Sequence, residues 1–156
     1  MKKILVSACL LGERCRYDGR SKPCSHPLLL KWRTEGRLIP ICPEVDGGLP
    51  VPRVPCERKN GGVFAESGKS FTEEYTRGAE AALKKARGND VLLCILKERS
   101  PSCGVNEIYD GSFSGITISG EGVTAELLRE KGFAVFSENN IEAANEMLQN
   151  YENGRL

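Results

Sequence analysis

Apolar positions along the chain gather into four short runs: Lys3–Ala8, Leu38–Ile41, Val91–Leu96 and Phe133–Phe136. Each has the length of a strand, and Val91–Leu96 is unbroken (Val-Leu-Leu-Cys-Ile-Leu), as expected where both faces are buried. Between them lie segments with helical spacing: His26–Glu35 stopped by Gly36, Ser70–Gly88, Val123–Lys131 ended by Gly132, and Asn140–Tyr151. In the longest, Ser70 or Thr72 is expected to cap the start. Glu73 and Glu74 suit its positive end, and Lys84, Lys85 and Arg87 its negative end. His26, just before Pro27, reads as a helix-start residue, and Trp32 and Phe71 as core or half-buried helix residues. Asn60–Lys69 and Gly111–Gly122 are rich in glycine and predict hairpins or loops. Strands alternating with helices predict one Rossmann-like α/β domain over residues 1–156, a parallel sheet with helices on both faces.

Three of the apolar runs are followed by a cysteine. Cys9 and Cys42 come directly after the first two, and Cys103 lies in the loop Glu98–Gly104 after the third. In parallel sheets ligands bind beyond the carboxyl ends of the strands, at a switch in strand order. The expectation is therefore that these three sulfurs meet and share one site. Cys42 is followed at once by Pro43 and Glu44, then by Gly47, Gly48, Pro50 and Pro52, so the chain beyond Glu44 is expected to be a shaped loop rather than a helix or strand. Gly47 and Gly48 either let backbone approach a ligand or make a tight turn. Arg16, Arg53 and Arg99 are candidates for anion or carbonyl recognition, with an ordinary surface role as the plainer account of each.

Composition narrows the chemistry. Lys and Arg total 22 against 21 Asp and Glu, which favours neither nucleic acid nor an anionic membrane as partner. With no apolar run of transmembrane length and no signal-peptide core after Met1-Lys2-Lys3, a cytoplasmic protein is expected. Seven cysteines in a reducing compartment point to metal binding, catalysis or burial rather than to disulfides. Cys94, inside the Val91–Leu96 run, is expected in the core. Cys15, Cys24 and Cys56 lie in loops and follow no strand end, so no ligand role is assigned to them.

Several chemistries then fall back. A thiol after the first strand resembles the layout of small tyrosine phosphatases and arsenate reductases, but their Cys-x5-Arg spacing is missed by Arg14 and Arg16, and there is no Asp-Pro pair to supply a general acid. No Cys-x2-Cys pair suggests structural zinc, and His26, the only histidine, leaves no histidine-based triad. What remains is thiolate ligation from distant loops, which favours soft metals and iron–sulfur clusters. A thiol-based phosphatase or reductase using Cys9, and a non-catalytic iron–sulfur or sulfur carrier, stay open as rivals.

The ordered motifs Val-Ser-Ala-Cys9-Leu-Leu-Gly, Cys42-Pro-Glu44-Val-Asp-Gly-Gly-Leu-Pro-Val-Pro-Arg53 and Ser100-Pro-Ser-Cys103-Gly resemble the DUF523 family through essentially the whole chain. Stand-alone members of that family are thiouracil desulfidases, which convert thiouracil to uracil and hydrogen sulfide with a [4Fe-4S] cluster held by three cysteines. The resemblance implies that Cys9, Cys42 and Cys103 bind the cluster and that Glu44 and Ser100 handle protons, with a small thiolated base as substrate. Longer relatives with an extra domain act on thiolated nucleosides in tRNA, and the lack of that extension here favours a free base. Cys15 stands outside the implied ligand set, as an optional position of the motif and a competitor for the cluster.

Such chemistry is physically coherent. A thiocarbonyl sulfur is soft and suits an open iron position that polarises its carbon–sulfur bond. Water attacking the ring carbon needs a base, and the departing sulfur needs a proton. Glu44, two residues from a ligand, is placed to serve both, and Ser100 to relay a proton or hold the ring. The plainer readings are that Glu44 only pairs with Arg53 and that Ser100 only caps its turn.

Overall fold

The computed structural model describes all residues from Met1 to Leu156. Its centre is a four-stranded parallel sheet of β1 (Lys3–Ser7), β2 (Leu38–Ile41), β5 (Val91–Leu96) and β8 (Ala134–Ser137), in the order β2-β1-β5-β8. Leu5 of β1 lies beside Ile39 on one side and Cys94 on the other, and Ile95 pairs with Phe136. The two inner strands are sealed on both faces: Ile4, Leu5, Val6 and Leu93–Leu96 are all fully buried. Pro40 has no N–H to give a ladder and accordingly sits in an edge strand.

Helices cover both faces, as expected. On one, α1 (Pro27–Thr34) and the closing α5 (Ile141–Glu152) put Leu29, Trp32, Ile141 and Leu148 onto Ile4, Val6 and Ile95. On the other, α3 (Thr72–Gly88) and α4 (Val123–Glu130) bring Ala82, Leu83 and Leu128 against Leu5, Cys94 and Leu96. Each large apolar side chain removed from water in this way contributes roughly 1.5–3 kcal/mol. Trp32 is 1% exposed and Cys94 0%, both core residues as the sequence suggests. No helix is long and apolar enough to cross a membrane.

Two hairpins complete the fold: β3 (Cys56–Lys59) with β4 (Gly62–Ala65), and β6 (Glu107–Tyr109) with β7 (Thr117–Ser119). The second strand of each lies in one of the two glycine-rich stretches, and the first strand precedes it. The capping expectations divide. His26 does start its helix, its Nδ1 accepting from the Leu28 N–H (3.1 Å). Neither Ser70 nor Thr72 is the cap of α3, because Thr72 turns its hydroxyl to the Val63 N–H (3.0 Å) and so ties the helix to β4.

The stretch after Cys42 also differs from expectation. Pro43–Asp46 forms a one-turn helix, α2, with Pro43 at its first position, where a missing N–H costs nothing. Gly47 does not open space for a ligand. A Cβ there would lie 2.1 Å from the Glu74 carbonyl oxygen, and one on Gly78 would lie 2.0 Å from that of Pro43. The two glycines let α2 rest backbone to backbone on α3. Gly48, at φ +99, makes the turn that follows.

Candidate functional site

From β1 the chain first crosses to β2 and later returns to β5 on the opposite side, so the strand order reverses between β1 and β5. A cavity of about 580 Å³ opens beyond the carboxyl ends of these strands, and Cys9, Cys42 and Cys103 all line it. Cys9 is carried by a 3-10 turn (Ala8–Leu11) directly after β1, and Cys42 caps α2 after β2. Cys103 sits in the loop that leaves β5.

That last loop is pinned by a carboxylate that the sequence did not single out. Glu98, 5% exposed, accepts through Oε1 from the backbone N–H groups of Val105, Asn106 and Glu107 (2.8, 2.9 and 3.0 Å), and through Oε2 from Asn106 Nδ2 (3.0 Å). Burial pushes its carboxyl up, but these donors more than reverse the effect and hold it below the usual range. Ser7, also buried, accepts from the Lys97 N–H (2.9 Å), which ties the end of β1 to the start of this loop.

The thiols sense one another. Burial, and then the charge of Cys42, push the Cys9 thiol up to about 11; burial likewise raises Cys103, with smaller contributions from Glu44, Cys9 and Cys42. Cys42 is lowered, chiefly by the neighbouring Cys15 side chain, whose own thiol is raised in turn.

Glu44 projects from α2 into the same cavity. Arg53 grips its Oε2 through Nε (2.8 Å) and Nη2 (2.5 Å), with the arginine side chain 5% exposed and the glutamate 13%. Oε1 faces the Ser100 hydroxyl at 3.4 Å. Ser100 Oγ in turn accepts from the N–H groups of Ser102 (3.1 Å) and Cys103 (2.9 Å). The plainer readings of both residues are therefore present, and the contact between them is present as well.

Arg99 and Arg16 line the cavity, Arg99 paired with Glu107 (3.2 Å) and Arg16 lying 4.0 Å from Asp18. Arg53 belongs to Glu44. Cys15 and Cys56 reach the cavity although neither follows one of the sheet strands, whereas Cys24 packs against the core beside α1. Phe113 is a further wall residue. It stands at the tip of the β6–β7 hairpin in the left-handed region (φ 56), with its N–H and that of Gly111 held by Glu57 Oε1 at 3.1 and 3.0 Å. Nothing in the local sequence signals Phe113 or Glu98 as site residues, since both depend on long-range folding.

No three His, Cys, Asp or Glu side chains gather at the spacing of a single ion. Three thiols drawn from separate strand ends instead suit a larger group whose ligands attach at different corners. Cys9 and Cys103 are buried, and burial keeps both thiols raised even with Lys97 and Arg16 near Cys9, so ionised sulfur there calls for further compensation. Soft, multiply charged iron–sulfur units provide it, so the donor set fits such a cluster.

Fold and cavity define a parallel α/β protein with a thiol-lined site at its topological switch point. The chain belongs to the 2-thiouracil desulfurase family, whose model matches residues 4–140. It is similar to the solved structure of a [4Fe-4S]-dependent thiouracil desulfidase, TudS, with 47% identity, 96% of this chain and 99% of that chain covered, and a TM-score of 0.94. It is also 42% identical over 151 residues to the uncharacterized protein YbbK of Bacillus subtilis (strain 168), covering 88% of this chain and 97% of that protein. Membership makes the chain an enzyme of the family anticipated from its motifs.

Proposed function

We propose that this protein hydrolyses the carbon–sulfur bond of a thiolated pyrimidine, giving the oxo base and hydrogen sulfide, with Cys9, Cys42 and Cys103 holding a [4Fe-4S] cluster and with Glu44 and Ser100 moving the protons. The observation that carries this reading is the convergence of the three thiols on one cavity that the Glu44–Ser100 pair also lines. A cluster held by three thiolates supplies one iron free to act as a Lewis acid on soft sulfur.

The chain's own residues supply the rest. Glu44 Oε1 takes the proton of the attacking water, while Arg53 fixes Oε2 and therefore the direction in which Oε1 points. Ser100 has both backbone donors on its oxygen, which leaves its hydroxyl proton aimed at Glu44 and able to pass on to the departing sulfur. Phe113 lines the same cavity, and its ring suits the face of a flat base. The net change adds water and releases hydrogen sulfide, with no electrons gained or lost.

The test is anaerobic reconstitution, followed by thiouracil turnover read as sulfide release. Cys9→Ser, Cys42→Ser and Cys103→Ser are each expected to lower bound iron and abolish turnover, whereas Cys94→Ser leaves both intact. Full iron content with no turnover, and indifference to Glu44→Ala, would mark a carrier instead. A metal-free, active protein that fails only with Cys9→Ser would mark thiol chemistry of the phosphatase kind. Against the latter, Arg14 is exposed and Arg53 is committed to Glu44.

A further inference from the structure

The cavity wall carries one thiol that the reaction does not use and that lies against one it does. The loop after β1 folds Cys15 over Cys42. The Cys42 thiol donates to the Cys15 carbonyl (3.6 Å), which sets the two cysteines side by side. Arg53 fastens this arrangement from both sides, its Nη2 donating to the same Cys15 carbonyl (2.9 Å) and its backbone N–H to the Tyr17 carbonyl (2.8 Å). Both sulfurs are half-buried and line the cavity, within reach of a small solute, whereas Cys94 is sealed in the core.

We propose that Cys15 and Cys42 form a reversible disulfide when the cluster-free chain meets a peroxide. One sulfur attacks the peroxide O–O bond and becomes a sulfenic acid, while the other peroxide oxygen leaves as water with the thiol proton. The second thiol then displaces the hydroxyl group, the S–S bond forms and a second water departs. The two cysteines lose two electrons and the peroxide gains them. Cys42 is thereby kept from the irreversible sulfinic state and is recoverable by a thiol reductant. The pairing stands on the contact of the Cys42 sulfur with the Cys15 backbone and on the cavity wall that both residues share. Its consequence, that the oxidised chain takes up no cluster, rests on the reading of Cys42 as a ligand.

The experiment uses the whole chain of residues 1–156, stripped of iron anaerobically under reductant, desalted and given a several-fold molar excess of hydrogen peroxide, since two equivalents are consumed in taking a thiol to the sulfinic acid. Alkylation, digestion and mass spectrometry are expected to show a Cys15–Cys42 linked peptide as the main disulfide, lost on adding dithiothreitol. In Cys15→Ser the same dose is expected to convert Cys42 to sulfinic acid, so that dithiothreitol recovers a several-fold smaller fraction of free Cys42 than in the wild type. Wild-type protein should bind iron and sulfide again only after the reductant. Linkage of Cys42 mainly to Cys9 or Cys103, or equal loss of Cys42 in wild type and Cys15→Ser, overturns the pairing. A linked chain that binds iron and sulfide without reductant overturns the ligand reading of Cys42 and leaves the pairing in place.

Discussion

Arg53 closes on one carboxylate oxygen of Glu44 and leaves the other facing Ser100 at 3.4 Å. The glutamate is thus oriented as well as paired, and the two roles respond differently to substitution. Glu44→Gln keeps the shape and removes the base, so turnover should fall by about 10²–10⁴-fold with iron content unchanged. Arg53→Ala leaves the largely buried carboxylate without its partner and is expected to cost ~3–5 kcal/mol of stability, read by urea denaturation. An Arg53→Ala protein as stable as wild type would contradict the pairing.

Ser100 is tied to the protein backbone as well as to Glu44. Ser100→Ala frees the N–H groups of Ser102 and Cys103, which should cost roughly 1–3 kcal/mol and loosen the loop that carries Cys103. The expected result is lower turnover together with faster loss of iron to a chelator, measured in the same preparation.

Glu98 makes a prediction about acid. Its folded carboxyl is held below the ordinary range near about 4.3, so the stability it contributes is present at neutral pH and is lost as pH falls through the depressed folded value. Glu98→Gln, without the charge that its three backbone donors favour, should lose about 1.5–3 kcal/mol at neutral pH. It should also show a shallower decline in stability between neutrality and acid than wild type, read from melting temperatures across that range.

The contact between α2 and α3 sets where Cys42 and Glu44 stand. Gly78→Ala places a methyl on the Pro43 carbonyl and should cost about 1–3 kcal/mol as an overpacked site. The displaced α2 should bind less iron per chain, with far-UV circular dichroism near that of wild type. Gly88→Ala, in the same helix but with open space around its Cβ, is the control and should leave iron content unchanged.

Much of this was readable before any coordinates. The four apolar runs became the four strands of the sheet, since continuous Val, Ile and Leu segments of that length have few other places to go. The motif-level likeness led to the same family, and the three thiols do meet at one cavity. Elements fixed by tertiary contact were less legible. The single turn at Pro43–Asp46 exists because α3 supplies Gly78 beneath it, a fact remote from the segment's own sequence. The nearness of Cys15 to Cys42 depends on Arg53 drawing in the loop. Glu98 matters only because the chain doubles back to offer it three amides.

The separation of Cys9, Cys42 and Cys103 among different βα units bears on the order of events during biogenesis. A nascent or denatured chain keeps these sulfurs far apart, and no close pair exists to nucleate assembly of a cofactor. With these three as the proposed ligands, sheet formation is expected first, and insertion of the inorganic group second, through the mouth of an already folded polypeptide. Maturation in the cell is then a delivery to a finished scaffold, rather than a condensation of the chain around its metal.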